Sequence, residues 1–247
     1  MEIVLHGESI GNFLGFPLTN TILMSWLVTS VLLLGAFLLR RRLALVPGRI
    51  QGVTEMVIGG LYDFMVETLH SKSQALKFFG VVATIFLFIV INNWFGIAPI
   101  LGSVGIYEAG EHGEIFVPLF RSAASDLNFT LLIAITAVVM VQVFGIATLG
   151  FVKYAKKFFV NPFKDFIGSF VGILELFSEV SKMISFSFRL YGNIFAGEVL
   201  LIIISYLMPY GAPLPFLFLE LFVGLVQALV FAILTLVFIK IAVEQHH

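Results

Sequence analysis

No cysteine occurs in the chain's 247 residues, so neither a disulfide nor a thiolate-held metal is available to it. That absence says little about compartment. Charge is also scarce: Asp, Glu, Lys and Arg make up 12% of the residues, against about a quarter in an ordinary soluble domain. The formal net charge is -1, and basic residues form only short flanks of apolar runs, which argues against a nucleic-acid partner. His112, His246 and His247 have no companions at ligand spacing, so no metal or cofactor is expected. There is no low-complexity tract and no internal repeat. The first twenty residues lack the basic n-region of a secretory signal, and no cleavable leader is expected.

What is present is hydrocarbon. The chain is 60% hydrophobic with a mean hydropathy of +1.06. Several uncharged runs reach the roughly 20 residues that a membrane crossing needs. The reading is an all-α membrane protein, a single integral domain over residues 1–247. Residues 1–20 form an outer segment, and the first span covers 21–39, ended by Arg40, Arg41 and Arg42. After a break at Pro47 and Gly48, residues 50–70 alternate apolar positions with Glu55, Asp63, Glu67 and His70. That pattern predicts a helix lying on the membrane surface. The second span, 78–100, is interrupted only by Asn92 and Asn93 and ended by Pro99. A loop carrying Glu108, Glu111, His112 and Glu114 leads to a third span, 127–152, which ends at Lys153, Lys156 and Lys157. Asn161 and Pro162 open the next element.

The last two spans are over-long. Residues 166–207 contain no proline and keep a helical pattern throughout, for a length of roughly 60 Å, about twice the hydrocarbon thickness. Beyond a turn at 208–213, residues 214–243 form a second long apolar helix. Such helices must tilt, bend or run partly along the interface, and a steeply inclined antiparallel hairpin is predicted. Basic residues set the orientation: Arg40, Arg41, Arg42, Arg49, Lys72, Lys77, Lys153, Lys156, Lys157, Lys164 and Lys240 fall on one side, and Arg121 alone on the other. With five crossings, this places the N-terminus outside and the C-terminus in the cytoplasm.

The hairpin is where charge enters hydrocarbon. Arg189 lies in an otherwise apolar helix, where an arginine costs roughly 2.5–3.5 kcal/mol to insert and keeps its charge regardless. It must face protein, water or a partner carboxylate. Glu175, Lys182 and Arg189 are spaced by sevens and so share a face, with Glu179 beside them and Asn193 one turn beyond Arg189. Gly192 and Ala196 keep that face slim enough for a close neighbour. Glu198 lies half a turn round, toward the final helix, which carries Glu220 and Gln227 on one face. With the turn centred on Gly211, two polar layers are expected: Glu198 with Glu220, then Asn193 and Arg189 with Gln227. Two close buried carboxylates rarely both ionise, so the first layer is expected to share and pass one proton. Against this stands a structural hydrogen-bonded pair. Glu175, Glu179 and Lys182 form either a neutralising cluster at the interface or a water-filled path. Asn92 and Asn93 read as helix glue. Asp126 with Asn128 either caps the third span or lines a vestibule. A secondary transporter binding an anion at Arg189 is the rival function, but such proteins are built from repeats and broken helices.

Residues 188–198 read FRLYGNIFAGE, and here the chain resembles subunit a of F-type ATP synthases. Similar landmarks are residues 125–130 (SDLNFT), Asn161 with Pro162, and Gln227 with Ala228 and Phe231, so the likeness runs over nearly the whole chain. The resemblance implies five crossings and a place beside a rotating ring of c subunits. Protons would enter by one half-channel, neutralise a ring carboxylate, and leave by the other. Arg189 matches the family's essential arginine, the charge gate between half-channels. Glu198, Asn193 and Gln227 match the outer half-channel and Glu175 the cytoplasmic one; Glu220 stands where some members have histidine. The implied partners are the c-subunit ring, the peripheral-stalk b subunits, the soluble F1 ATPase and the lipid bilayer. The implied location is a bacterial inner membrane, and no nucleotide binds to this subunit itself. Whether protons or sodium ions are carried is left open, because the ring decides it.

Overall fold

The computed structural model describes residues 9–13, 16–41, 43–98, 104–110, 113–158 and 166–244. Residues 1–8 of the expected outer segment, Arg42, Pro99, Glu111, His112, Asn161, Pro162, Lys164, His246 and His247 lie outside the described residues, as do the side chains of Glu108 and Glu114. The protein is an all-α membrane fold. Five helices are long and apolar enough to cross a bilayer: α1 (Asn20–Arg41), α3 (Lys72–Ile97), α4 (Leu127–Leu149), α6 (Phe166–Leu207) and α7 (Pro213–Val243). Between them, among the described residues, lie α2 (Arg49–Leu69), α5 (Phe151–Phe158), a 3-10 turn (Ala123–Ser125) and two strands, and two more strands precede α1. The strands form two antiparallel hairpins, β1 (Ser9–Phe13) with β2 (Phe16–Thr19) and β3 (Gly105–Gly110) with β4 (Gly113–Pro118). Hairpins were not foreseen in the outer segment or the loop, whose short stretches lack clear alternation.

The two ends of the bundle differ. At the hairpin end, the start of α1, the end of α3 and the start of α4 converge on the 3-10 turn. Asp126 organises this junction: its Oδ1 accepts the Asn128 backbone N–H at 2.9 Å, capping α4, and its Oδ2 accepts the Thr21 hydroxyl at 3.1 Å from α1. Of the two roles left open for Asp126, the geometry is that of a cap. Gly96 is pressed so closely on Ser122 that a Cβ there would overlap it.

At the opposite, lysine-rich end, α2 is not a candidate span. It buries Leu61, Met65 and Leu69, while Glu55, Asp63, Glu67 and His70 are exposed, as an interfacial helix requires. His70 closes it in the left-handed region (φ 51°), and the Ser71 hydroxyl then caps α3. The third span ends earlier than the sequence suggests. Gly150 takes φ 83° and stops α4, so Phe151 and Val152 belong to a separate short helix, α5. Only glycine adopts that conformation without strain. The core lies between α3, α4, α6 and α7. It is built from interlocked aromatic rings, with Phe186 of α6 4.6 Å from Phe231 of α7 and Phe78 of α3 4.9 Å from Phe144 of α4.

Candidate functional site

Three contacts show how α6 and α7 pair. Phe186 packs between Phe231, tilted to it by 39°, and Phe238, on which it stacks at 5.5 Å, and Glu220 lies against Gly197. The Phe231 and Glu220 contacts put the centre of the hairpin between Met208 and Pro209 and the Phe238 contact puts it at Ala212, on either side of the Gly211 assumed from sequence. The first of these registers carries Arg189 level with Ala228 and Gln227 level with Leu190. α3 joins the same frame through Asn93, whose Nδ2 donates to the Gly224 carbonyl at 3.0 Å, and Trp94, whose indole N–H donates to the Leu221 carbonyl at 3.0 Å. Continuing that antiparallel register places Arg189 level with Ile89, near the middle of the uncharged part of α3. The pairing of Asn93 is helix glue. Its neighbour Asn92, 1% exposed, has no hydrogen-bond partner among the described residues.

Arg189 points away from the bundle. Its side chain is exposed, and its Nη2 donates only a long 3.3 Å bond to the Ser185 hydroxyl one turn earlier. No carboxylate among the described residues lies within ion-pair distance of it. The same outward stripe presents Asn193 and Ala196, both exposed, and Gly192, around which a Cβ would meet nothing within 4 Å. Among the described residues, then, the Arg189 guanidinium has no acidic partner and stands on a slim, exposed stripe of α6.

The other residues named from the sequence turn elsewhere. Glu175 and Lys182 share a helical face with Arg189, but their side chains leave that face. Glu175 pairs with Lys157 of α5 at 2.9 Å, and Lys182 reaches back to Glu179 at 2.6 Å. Glu179 is buried, and its second oxygen accepts from Gln142 of α4 at 2.8 Å. Tyr154 of α5 completes this cluster by donating to Gln142, its ring packed on Gly145 so tightly that a Cβ there would overlap it. Burial, then the charges of Glu179 and Glu175, push the Tyr154 phenol up to about 12.

The expected layers at the hairpin end are rebuilt. Glu198 does not meet Glu220 as a lone acid pair; it forms an ion pair with Arg121, Nη2 to Oε2 at 3.1 Å, with Arg121 Nε 3.2 Å from Oε1. Glu220, 6% exposed, rests its carboxylate on Gly197, the residue beside Glu198. The layer is therefore two carboxylates and one guanidinium, which relieves the repulsion that a bare acid pair would carry. The second layer is not joined either: Asn193 faces outward, Gln227 is half-buried, and no hydrogen bond links them among the described residues. Sequence reasoning passed over Arg121, although it is the sole basic residue on its side. It also passed over Gln142, a polar residue in a span whose interior is otherwise apolar, which is itself a pointer to function.

Fold and site together define a polytopic integral membrane protein with an exposed arginine on an over-long helical hairpin and a cluster of paired acids and bases toward either end. The family model for the ATP synthase A chain matches residues 22–240. Relatives named ATP synthase subunit a include that of Moorella thermoacetica, 30% identical over 232 residues, covering 93% of each chain. That of Desulfotalea psychrophila is 33% identical over 245 residues, covering 99% of this chain and 92% of its own. The chain belongs to the ATP synthase A chain family, the proton-channel subunits of the membrane sector of ATP synthase.

Proposed function

We propose that this chain is the stationary half of a proton-driven rotary motor, with Arg189 as its charge gate. The observation that carries the reading is the exposed guanidinium of Arg189, which no carboxylate among the described residues reaches, on a stripe cleared by Gly192 and Ala196. A guanidinium so placed attracts an ionised carboxylate from a neighbour in low dielectric, and its planar fork holds both oxygens. The neighbour is a ring of c subunits, each bringing one membrane carboxylate past Arg189. A carboxylate paired there stays ionised, must take a proton on leaving, and so travels protonated through lipid until it meets the other half-channel. Arg189 also bars protons from crossing directly, since a fixed positive charge repels them.

On the outer side, Glu198, Glu220, Asn193 and Gln227 form the entry, with Arg121 paired to Glu198. On the cytoplasmic side, Glu175, Glu179 and Lys182 mark the exit. The N-terminus lies outside and the C-terminus in the cytoplasm, as the basic residues dictate. The b subunits of the peripheral stalk hold the chain still while F1 makes or splits ATP, so the chain binds no nucleotide. A membrane potential supplies about 2.3 kcal/mol per charge per 100 mV to bias the cycle.

The test is coupled transport in vesicles carrying the assembled complex. Arg189→Lys should abolish proton-driven ATP synthesis although charge is conserved, because a flexible ammonium lacks the bidentate fork. Arg189→Ala should abolish synthesis and let protons leak. Normal synthesis by the lysine variant would remove the gate role.

A further inference from the structure

The cytoplasmic cluster is a directed chain of hydrogen bonds. The Tyr154 hydroxyl donates to Gln142 Oε1, Gln142 Nε2 donates to Glu179 Oε2 at 2.8 Å, and Lys182 Nζ donates to Glu179 Oε1 at 2.6 Å. The Lys182 ammonium also sits 4.7 Å from the ring centre of Phe238. One chain thus runs through α5, α4, α6 and α7. Its direction is forced, because an ammonium only donates, an ionised carboxylate only accepts, and an amide must turn its oxygen to one neighbour and its nitrogen to the other. Each oxygen of Glu179 already holds a donor, and the residue is 8% exposed. A proton added at either oxygen would have to share it with the donor already there.

The position of Glu179 matters more than its charge. In the cytoplasmic half of α6, the buried residues are Gly172 and Glu179; Phe170, Ile173, Leu176, Phe177 and Val180 are all exposed. Apolar packing begins only at Phe186. That half of α6 is therefore held by Gly172 against the Phe158 carbonyl, by the Lys157–Glu175 pair, and by Glu179. Glu179 precedes Arg189 by ten residues, about 15 Å of rigid helix.

We propose that Glu179 is a positioning residue, a strut rather than a proton carrier: clamped between Gln142 and Lys182, it fixes the height and rotation at which α6 presents Arg189. The proposal rests on the gate reading of Arg189 and assigns Glu179 its part within the exit.

The test exchanges two side chains. In Glu179→Gln, the carboxylate that accepts from both Gln142 and Lys182 is gone, and the chain closes again only if the Gln142 amide turns over to donate to the Tyr154 hydroxyl. In Gln142→Glu, two carboxylates face each other. In the double variant Gln142→Glu with Glu179→Gln, every bond can re-form: Tyr154 donates to the new acid, the new amide donates to it as well, and Lys182 donates to the amide oxygen. ATP-driven proton pumping and passive leak are measured in vesicles carrying the assembled complex. Each single variant should pump roughly tenfold more slowly, the scale of one lost hydrogen bond to a charged group, and should hold its gradient less well. The exchanged pair should restore both. If position 179 must carry a proton, the exchange leaves pumping as low as in Glu179→Gln, and the strut falls. It falls equally if Glu179→Gln pumps and holds its gradient like the parent. Should Glu179→Gln block assembly, the exchanged pair must restore it, and failure counts the same way. Arg189→Ala is measured alongside: intact coupling in that variant rejects the gate, while the exchange still reports on the strut.

Discussion

A single methyl group at Gly197 tests how the outer polar layer is built. The Cβ of Gly197→Ala would fall on the carboxylate of Glu220, overlapping both oxygens and the carbon that joins them. Glu220 is 6% exposed, so little open space receives it. To regain a normal contact of about 3.5 Å, the carboxylate must withdraw by roughly 1.5 Å. If the backbone yields instead, overpacking costs about 1–3 kcal/mol. In either case the acid group moves relative to Glu198, and a barrier raised by about 1.4 kcal/mol slows proton entry tenfold. The assay is ATP-driven acidification of vesicles carrying the assembled complex, with thermal denaturation run in parallel. Glu220→Ala empties the contested space, so in that background the added methyl should change nothing further, a non-additivity that a double-mutant cycle measures. Gly192→Ala is the contrast. Beyond its own turn of helix, that Cβ meets nothing among the described residues within 4 Å, so any loss of coupling there points to a surface outside the chain. A Gly197→Ala protein that pumps at the parental rate would refute the claim that the Glu220 carboxylate must occupy this notch.

Two further outcomes follow from the clusters at either end. Arg121→Gln strips Glu198 of its guanidinium; with the side chains 13% and 27% exposed, the cost should be about 1–3 kcal/mol, below that of breaking a fully buried pair. Adding Glu198→Gln should recover part of that loss, and simple additivity in thermal or urea denaturation would contradict the pairing. The phenol of Tyr154, raised from 10.0 to about 12, is held more tightly in the folded than in the unfolded chain. Its contribution to stability is full below pH 10 and fades as pH rises through 10 to 12. Ultraviolet difference titration of the parent against Tyr154→Phe checks this, and a tyrosine titrating near its ordinary value would oppose it.

The over-long hairpin was legible because hydropathy and helical period are properties of neighbouring residues. The 42 mostly apolar residues from Phe166 to Leu207, without a proline among them, leave little choice but one long helix. The end of α4 was misplaced by a few residues because Val152 continues the apolar run, while the left-handed turn at Gly150 depends on α5 folding back through Tyr154 onto Gly145. The strands at Gly105–Gly110 and Gly113–Pro118 were missed because a two-stranded hairpin needs little periodicity of its own.

Charge partners were harder to read. Spacing by sevens places Glu175, Lys182 and Arg189 on one side of a helix, but a lysine or glutamate side chain can reach past the edge of that face. Lys182 does so toward Glu179, and Glu175 toward Lys157. Counting outward from Gly211 set Glu198 beside Glu220, but it could not bring in Arg121, which precedes the third span and reaches Glu198 only through the tertiary fold.

Composition and pattern alone determined that this chain is an all-α membrane protein with five apolar spans, and singled out the arginine in the fourth. Tertiary structure decided which acid meets which base, that Arg189 is left facing outward, and that Glu179 is locked inward. The reason is physical: burial of apolar surface follows from local order along the chain, but a salt bridge or hydrogen bond forms only where helix register, set by packed rings and glycine notches, brings two particular atoms within about 3 Å.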